Sequence, residues 1–152
     1  MSIIMARIDN RLIHGQIVEG WLPAIDINNV VVVSQQYSSS SFAQKMMRIA
    51  LPSRYGLNIF DGFSAAQYLK KENSLKEFIL IENFLELKSL LDNGVVFKVL
   101  NIGNTSYENG KKEFAQGIYL SSEEIDLLKE ISSKNVKIDA RLLPASIPSR
   151  II

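Results

Sequence analysis

The run Val30-Val31-Val32-Val33 limits the fold more than any other part of this chain. Four β-branched residues in succession are stiff at χ1 and suit a strand better than a helix. Side chains alternate between the faces of a strand, so an unbroken apolar run must be covered on both sides. Asn29–Ser34 is therefore expected as a central strand of a parallel sheet, with helices above and below it.

The rest of the chain supplies such layers. Ser2–Arg7 reads as a buried strand, and Gln16–Leu22 as a short helix with Ile17 and Trp21 on one face and Pro23 closing it. Ser38–Leu51 reads as a helix in which Phe42, Met46, Ile49 and Ala50 recur at helical spacing behind a capping serine cluster. Gly56–Phe60 is expected as a strand and Ser64–Lys71 as a helix. A strand at Glu77–Ile81 precedes a helix at Asn83–Asn93, whose Phe84, Leu87, Leu90 and Leu91 line one face and which Gly94 stops. Val95–Ile102 and Gly117–Leu120 read as strands. Ser121-Ser-Glu-Glu124 forms a capping box for a helix to about Ser133, and Lys137–Arg141 is a candidate last strand before an irregular tail. The expected fold class is α/β: an open, mostly parallel twisted sheet with helices on both faces, in one domain over residues 1–152.

Composition narrows the chemistry. The 152 residues include no cysteine, which removes disulfides, thiolate catalysis and most structural zinc sites. No metal or cofactor is called for. A net charge of +1 with mixed signs argues against nucleic acid, which demands a basic stripe. No apolar run approaches the roughly 18 residues that cross a bilayer, and no secretory pattern opens the chain, so a cytoplasmic location is expected.

The chain has one histidine, and it stands in Arg7-Ile-Asp-Asn-Arg11-Leu-Ile-His14-Gly15-Gln16, directly after the first strand. In parallel sheets, ligands gather beyond the carboxyl ends of the strands, where several loops meet. His14 falls there, as do Ser34–Ser38, Asp61-Gly62, Glu82-Asn83 and Asn101–Thr105. An imidazole serves as nucleophile, acid or base near neutral pH. Its neighbours suit phosphoryl chemistry: guanidinium forks, polar Asp9, Asn10 and Gln16, and a glycine that leaves room beside the ring. His14 and Arg11 are the candidate catalytic pair. Arg7, Asp9, Asn10, Ile13, Gly15, Gln16, Asn101 and Gly103 are candidate phosphate-binding positions, with Ile13, Gly15 and Gln16 acting through backbone N–H groups. Other roles stay open: Arg7 pairing only with Asp9, Asp9 orienting His14 or ending the strand, Gly103 marking a turn, Trp21 as core or interface. Lys70-Lys71 and Lys111-Lys112 read as solvated charge pairs.

The segment Arg7–Ile17 resembles the active-site segment of the IIB subunit of the mannose/fructose/sorbose-type sugar phosphotransferase system (PTS). Val30–Ser34 and Val99-Leu-Asn-Ile-Gly103 extend the similarity. The resemblance implies a cytoplasmic phosphocarrier whose histidine, at the place of His14, accepts a phosphoryl group on Nδ1 from a IIA protein. It implies onward transfer to a sugar imported by membrane subunits IIC and IID, with no metal; separately, apolar residues near Trp21 or in the tail leave a homodimer open. This chain departs from the pattern at Asn10, where family members often carry a second acidic residue, and at Asn104, where a glycine is common. The loop after the second strand also lacks the acidic residues expected there. These departures motivate a second expectation, a phosphorylation-state sensor that transports nothing. A nucleotide-binding α/β domain is a distant third, because no Gly-x-x-x-x-Gly-Lys-Ser/Thr or Gly-x-Gly-x-x-Gly loop is present.

Overall fold

The structure, a computed structural model, describes residues 2–152. Six strands form one wholly parallel sheet in the order β3-β2-β4-β1-β5-β8: β1 Ser2–Ile8, β2 Asn29–Val33, β3 Gly56–Phe60, β4 Lys76–Ile81, β5 Val99–Ile102 and β8 Lys137–Ala140. The valine run lies next to the centre, between β3 and β4, and Val30, Val31, Val32 and Val33 are all fully buried.

Two apolar layers follow from strand alternation. On one face Ala6, Ile8, Val31, Val33, Ile79, Ile81, Leu100 and Ile102 pack against α3 (Gly62–Leu69), α4 (Phe84–Asp92) and α5 (Ser122–Ser133). On the other, Met5, Val30, Val32, Phe78 and Leu80 meet Ile17, Trp21, Leu22, Leu51 and Tyr55. Each α-helix begins on a side-chain cap: Asp61 accepts from Ser64 N, Asn83 from Glu86 N, and Ser121 from Glu124 N in a full capping box. Such caps satisfy N–H groups that the first turn leaves orphaned.

Several expected elements are corrected. The segment Ser38–Leu51 is not one helix: α1 (Gln35–Ser38) is capped by Ser34 and α2 (Ser41–Ala50) by Ser40. The serine cluster thus divides two helices, because its hydroxyls offer the backbone a competing partner. In α2 the apolar stripe faces outward, with Phe42 73%, Met46 51% and Ile49 78% exposed. Arg48 is turned inward instead and donates to the carbonyls of Leu51, Pro52 and Tyr55. The helix expected at Ser64–Lys71 starts at Gly62 because Asp61 caps it.

The strand expected from Val95 begins only at Val99; before it Val95 and Phe97 dip into the core while Val96 is exposed. Ile118–Leu120 (β7) leaves the main sheet and pairs antiparallel with β6 (Lys112–Ala115), a hairpin the sequence reading missed. Gln16–Trp21 is a π-helix that runs into a 3₁₀ turn, Leu22–Ala24, so Pro23 sits inside a turn rather than ending a helix. Lys111 is not a solvated lysine: it pairs with Glu124 at 3.3 Å and is 12% exposed.

Candidate active site

The carboxyl end of β1 carries the site. Asp9 N donates to Ile81 O at 2.9 Å, continuing the ladder one residue past the strand. The chain then turns through Leu12, which adopts a left-handed φ of 55°, and enters the π-helix directly after His14 and Gly15. Asn10 N donates to Asn104 O at 2.9 Å, tying this loop to the loop after β5.

Asp9 is the hub. Its side chain is fully buried and receives His14 Nε2 at 2.9 Å. Arg7 Nε and Nη2 reach it at 3.2 and 3.0 Å, Arg11 N at 3.0 Å and Asn104 Nδ2 at 3.2 Å. Burial alone raises the pKa of a carboxyl. Here the hydrogen bond from His14, the charge on Arg7, the charge His14 carries when protonated and the Arg11 N–H together outweigh burial and hold Asp9 below the usual carboxylate range. An ionised carboxylate only accepts, so Nε2 donates to it; in the neutral ring Nδ1 then keeps its lone pair, and it has no hydrogen-bond partner. The ring is 8% exposed, and Nδ1 itself is shielded from solvent.

The expected phosphate-binding residues separate into two layers. At the rim lie Arg11 and Gly15, both exposed, with Asn10, Ile13 and Gln16 half-buried. A Cβ on Gly15 would meet nothing within 4 Å, so this glycine borders open space. Gln16 Oε1 accepts from Asn104 Nδ2 at 3.1 Å. Beneath the rim lie Arg7, Asn101 and Gly103. Arg7 and Asn101 are fully buried and bonded to protein groups, and no N–H of Arg7 faces the rim. They form a floor under the rim. Burial lowers the pKa of Arg7, against the pull of Asp9 and Asp139. Gly103 is needed for space, since a Cβ there would overlap the Arg7 guanidinium.

Asn104, in the loop Asn101–Thr105 expected beside His14, belongs to the same assembly. Trp21, Asp139 and Arg141 join it and were not expected there. Among the described residues, no group of three or more His, Asp or Glu side chains could hold a metal ion, and no helix is long and apolar enough to cross a membrane.

With that geometry, a family model described as "PTS system sorbose subfamily IIB component" matches residues 3–151. The chain belongs to this family of PTS IIB phosphotransferase components of sugar transport. Among its relatives, the PTS system fructose-specific EIIB component of Bacillus subtilis is 26% identical over 147 residues, covering 95% of this chain and 90% of that protein. The sorbose-specific EIIB component of Lacticaseibacillus casei is 27% identical over 154 residues, covering 100% and 94%. The crystal structure of the N-acetylgalactosamine-specific IIB component 1 from Escherichia coli superposes with a TM-score of 0.90 at 26% identity, covering 99% of this chain and 100% of that one. The IIB domain of the sorbose permease from Klebsiella pneumoniae gives 0.89 at 25% identity, covering 99% and 94%.

Proposed function

We propose that the chain is a phosphohistidine carrier that takes a phosphoryl group from a IIA protein on His14 Nδ1 and hands it to a sugar entering through IIC and IID subunits. The observation that carries this reading is the 2.9 Å bond from His14 Nε2 to Asp9, which in the neutral ring makes Nδ1 the nitrogen with an available lone pair. The Nδ1 pair attacks phosphorus in line as the donor nitrogen–phosphorus bond breaks, and that nitrogen keeps its electrons. Nε2 retains its proton, and the positive charge that develops on the ring is offset by the Asp9 carboxylate beside it. In the second step a sugar hydroxyl attacks, the Nδ1–phosphorus bond breaks with its electron pair returning to Nδ1, and the hydroxyl proton passes to water.

Rim groups neutralise the equatorial oxygens: the Arg11 guanidinium and backbone N–H groups between Ile13 and Gln16, with Asn10 beside them. Because Nδ1 is shielded, docking of the donor shifts the turn at Asn10–Gly15, in which Arg11 and Gly15 are exposed. Uncovering a buried acceptor that lacks a partner lowers the cost of that shift.

Incubation with a phosphorylated IIA donor tests the reading. Wild type is expected to gain one acid-labile phosphoryl group, and His14→Ala none. Label retained by His14→Ala removes His14 from this role. Loss of the label to sugar in the presence of IIC- and IID-containing membranes is the expected second half; a label that no sugar discharges favours the sensor reading.

A further inference from the structure

Arg7, Asn101 and Asp139 stand directly opposite one another on the adjacent strands β1, β5 and β8, and residues paired in this way project to the same face. Arg7 Nη1 donates to Asn101 Oδ1. Asn101 Nδ2 donates to Asp139 O and Oδ2, both at 3.0 Å. Asp139 in turn holds Arg141, whose Nε and Nη2 reach Oδ1 at 3.0 and 2.9 Å. The chain after β8 then bends back over Arg7, which donates to Arg141 O at 2.9 Å and to Leu142 O at 3.2 Å. Leu142 O also accepts from Trp21 Nε1 at 2.8 Å, and the Trp21 ring lies 5.1 Å from the guanidinium carbon.

A guanidinium has five N–H donors. Those of Arg7 go to Asp9 twice, to Asn101 once, and to two backbone carbonyls of the tail. Arg7 and Arg141 are matched in charge by Asp9 and Asp139, so the cluster is balanced while the His14 ring is neutral. Buried ion networks add little stability over apolar packing of the same volume. What this one supplies is a single allowed position for the Asp9 carboxylate, which bonds Nε2, itself two ring bonds from the reacting nitrogen. Lifting the tail leaves two guanidinium protons buried without acceptors, and Arg7 is then free to turn and take Asp9 with it.

We propose that the tail segment Arg141–Leu142, clamped by Trp21 and Asp139, is a positioning device that fixes the reactive tautomer of His14 through Arg7 and Asp9. Trp21, Asn101, Asp139 and Arg141 are positioning residues and touch no phosphoryl oxygen. The kinetic arm of the test rests on the function proposed above; the spectroscopic arm does not.

The whole chain contains one histidine, so its imidazole nitrogens give a single assignable pair of ¹⁵N resonances. Wild type is expected to show the pattern of a ring protonated at Nε2. Trp21→Phe keeps an aromatic ring under Arg7 but removes the donor to Leu142 O. In that variant both resonances are expected to move toward the average of the two tautomers, and the initial rate of phosphoryl acceptance from phosphorylated IIA to fall about tenfold. Arg141→Gln, at a side chain 22% exposed, is the second variant in case the first folds poorly, and is expected to shift the resonances in the same direction by less. Wild-type resonances in a folded variant of either kind overturn the proposal, even if melting temperature drops, because the tail then only holds itself in place. A wild-type chain that accepts no phosphoryl group overturns the function proposed above and leaves the tautomer result to be read by itself.

Discussion

Two buried polar clusters occupy opposite ends of the parallel sheet, and only one of them ends on an imidazole. At the amino ends of β2 and β4, Glu77 is fully buried and accepts from Asn29 Nδ2 at 2.6 Å and from the Tyr68 hydroxyl at 3.1 Å. At the carboxyl ends, Asp9 is equally buried but accepts from a guanidinium, an amide side chain, a backbone N–H and an imidazole. The Glu77 cluster closes on amide and phenol donors and stops there. The Asp9 cluster contains matched charges and ends on a ring at the rim. Burial of a carboxylate is therefore not the mark of a site; what matters is whether its last partner has an atom left over for chemistry. Parallel topology explains the difference in place, because the loops that can surround a ligand gather at the carboxyl ends.

The sharpest way to break this comparison is Asp9→Asn. An amide can offer either an oxygen or an N–H to the ring, so the Nε2–H tautomer loses its support, and phosphoryl acceptance is expected to slow on the order of 10²–10⁴-fold. The same variant tests linkage. The pKa of Asp9 is lower in the folded state than its ordinary 3.8, so the unfolded chain binds the proton more readily. Its contribution to stability is then fully present above about pH 3.8 and is lost as pH falls toward the folded value. Denaturant titrations should show a shallower loss of stability below that pH in Asp9→Asn than in wild type; equal slopes would mean that Asp9 is not held ionised by its partners.

Gly103→Ala is the next largest. The new methyl overlaps the Arg7 guanidinium, and overpacking of this kind costs about 1–3 kcal/mol. Because Arg7 must move, phosphoryl acceptance should fall alongside the melting temperature. A stable variant with an unchanged rate would show that the floor tolerates displacement.

The smallest effect is expected at the other end of the sheet. Tyr68→Phe removes the hydrogen bond the hydroxyl donates to Glu77 and the one it accepts from Asn29 Nδ2, and should cost about 1–2 kcal/mol of stability, with phosphoryl acceptance unchanged. In wild type, burial and then the charge of Glu77 push the Tyr68 phenol up to about 12. The stability this provides is present below the ordinary tyrosine value of 10.0 and fades as pH rises toward about 12, so Tyr68→Phe should resist that alkaline loss. A slowed transfer in this variant would erase the distinction between the two clusters.

Much of the fold was legible because it is written in local signals. The valine run, the caps at Asn83 and Ser121, and the Phe84–Leu91 stripe each set an element through side chains a few residues apart. The hairpin of β6 and β7 was missed because Lys112–Ala115 has no apolar alternation to announce it, and its pairing is what makes it a strand. The outward stripe of α2 was unreadable for a related reason: periodicity reports that a helix has an apolar face but not which way tertiary packing turns it.

By itself the sequence determined the layered α/β class, the single histidine just past β1, and an arginine and aspartate within seven residues of it. Tertiary structure decided what those residues do. Arg7 meets Asn101 across 94 positions and Arg141 O across 134, and such meetings depend on strand order and register, which a parallel sheet fixes only when all its crossovers are packed. A guanidinium that reads as a phosphate fork in one dimension thus becomes, in three, the buried support that holds Asp9 against the His14 ring.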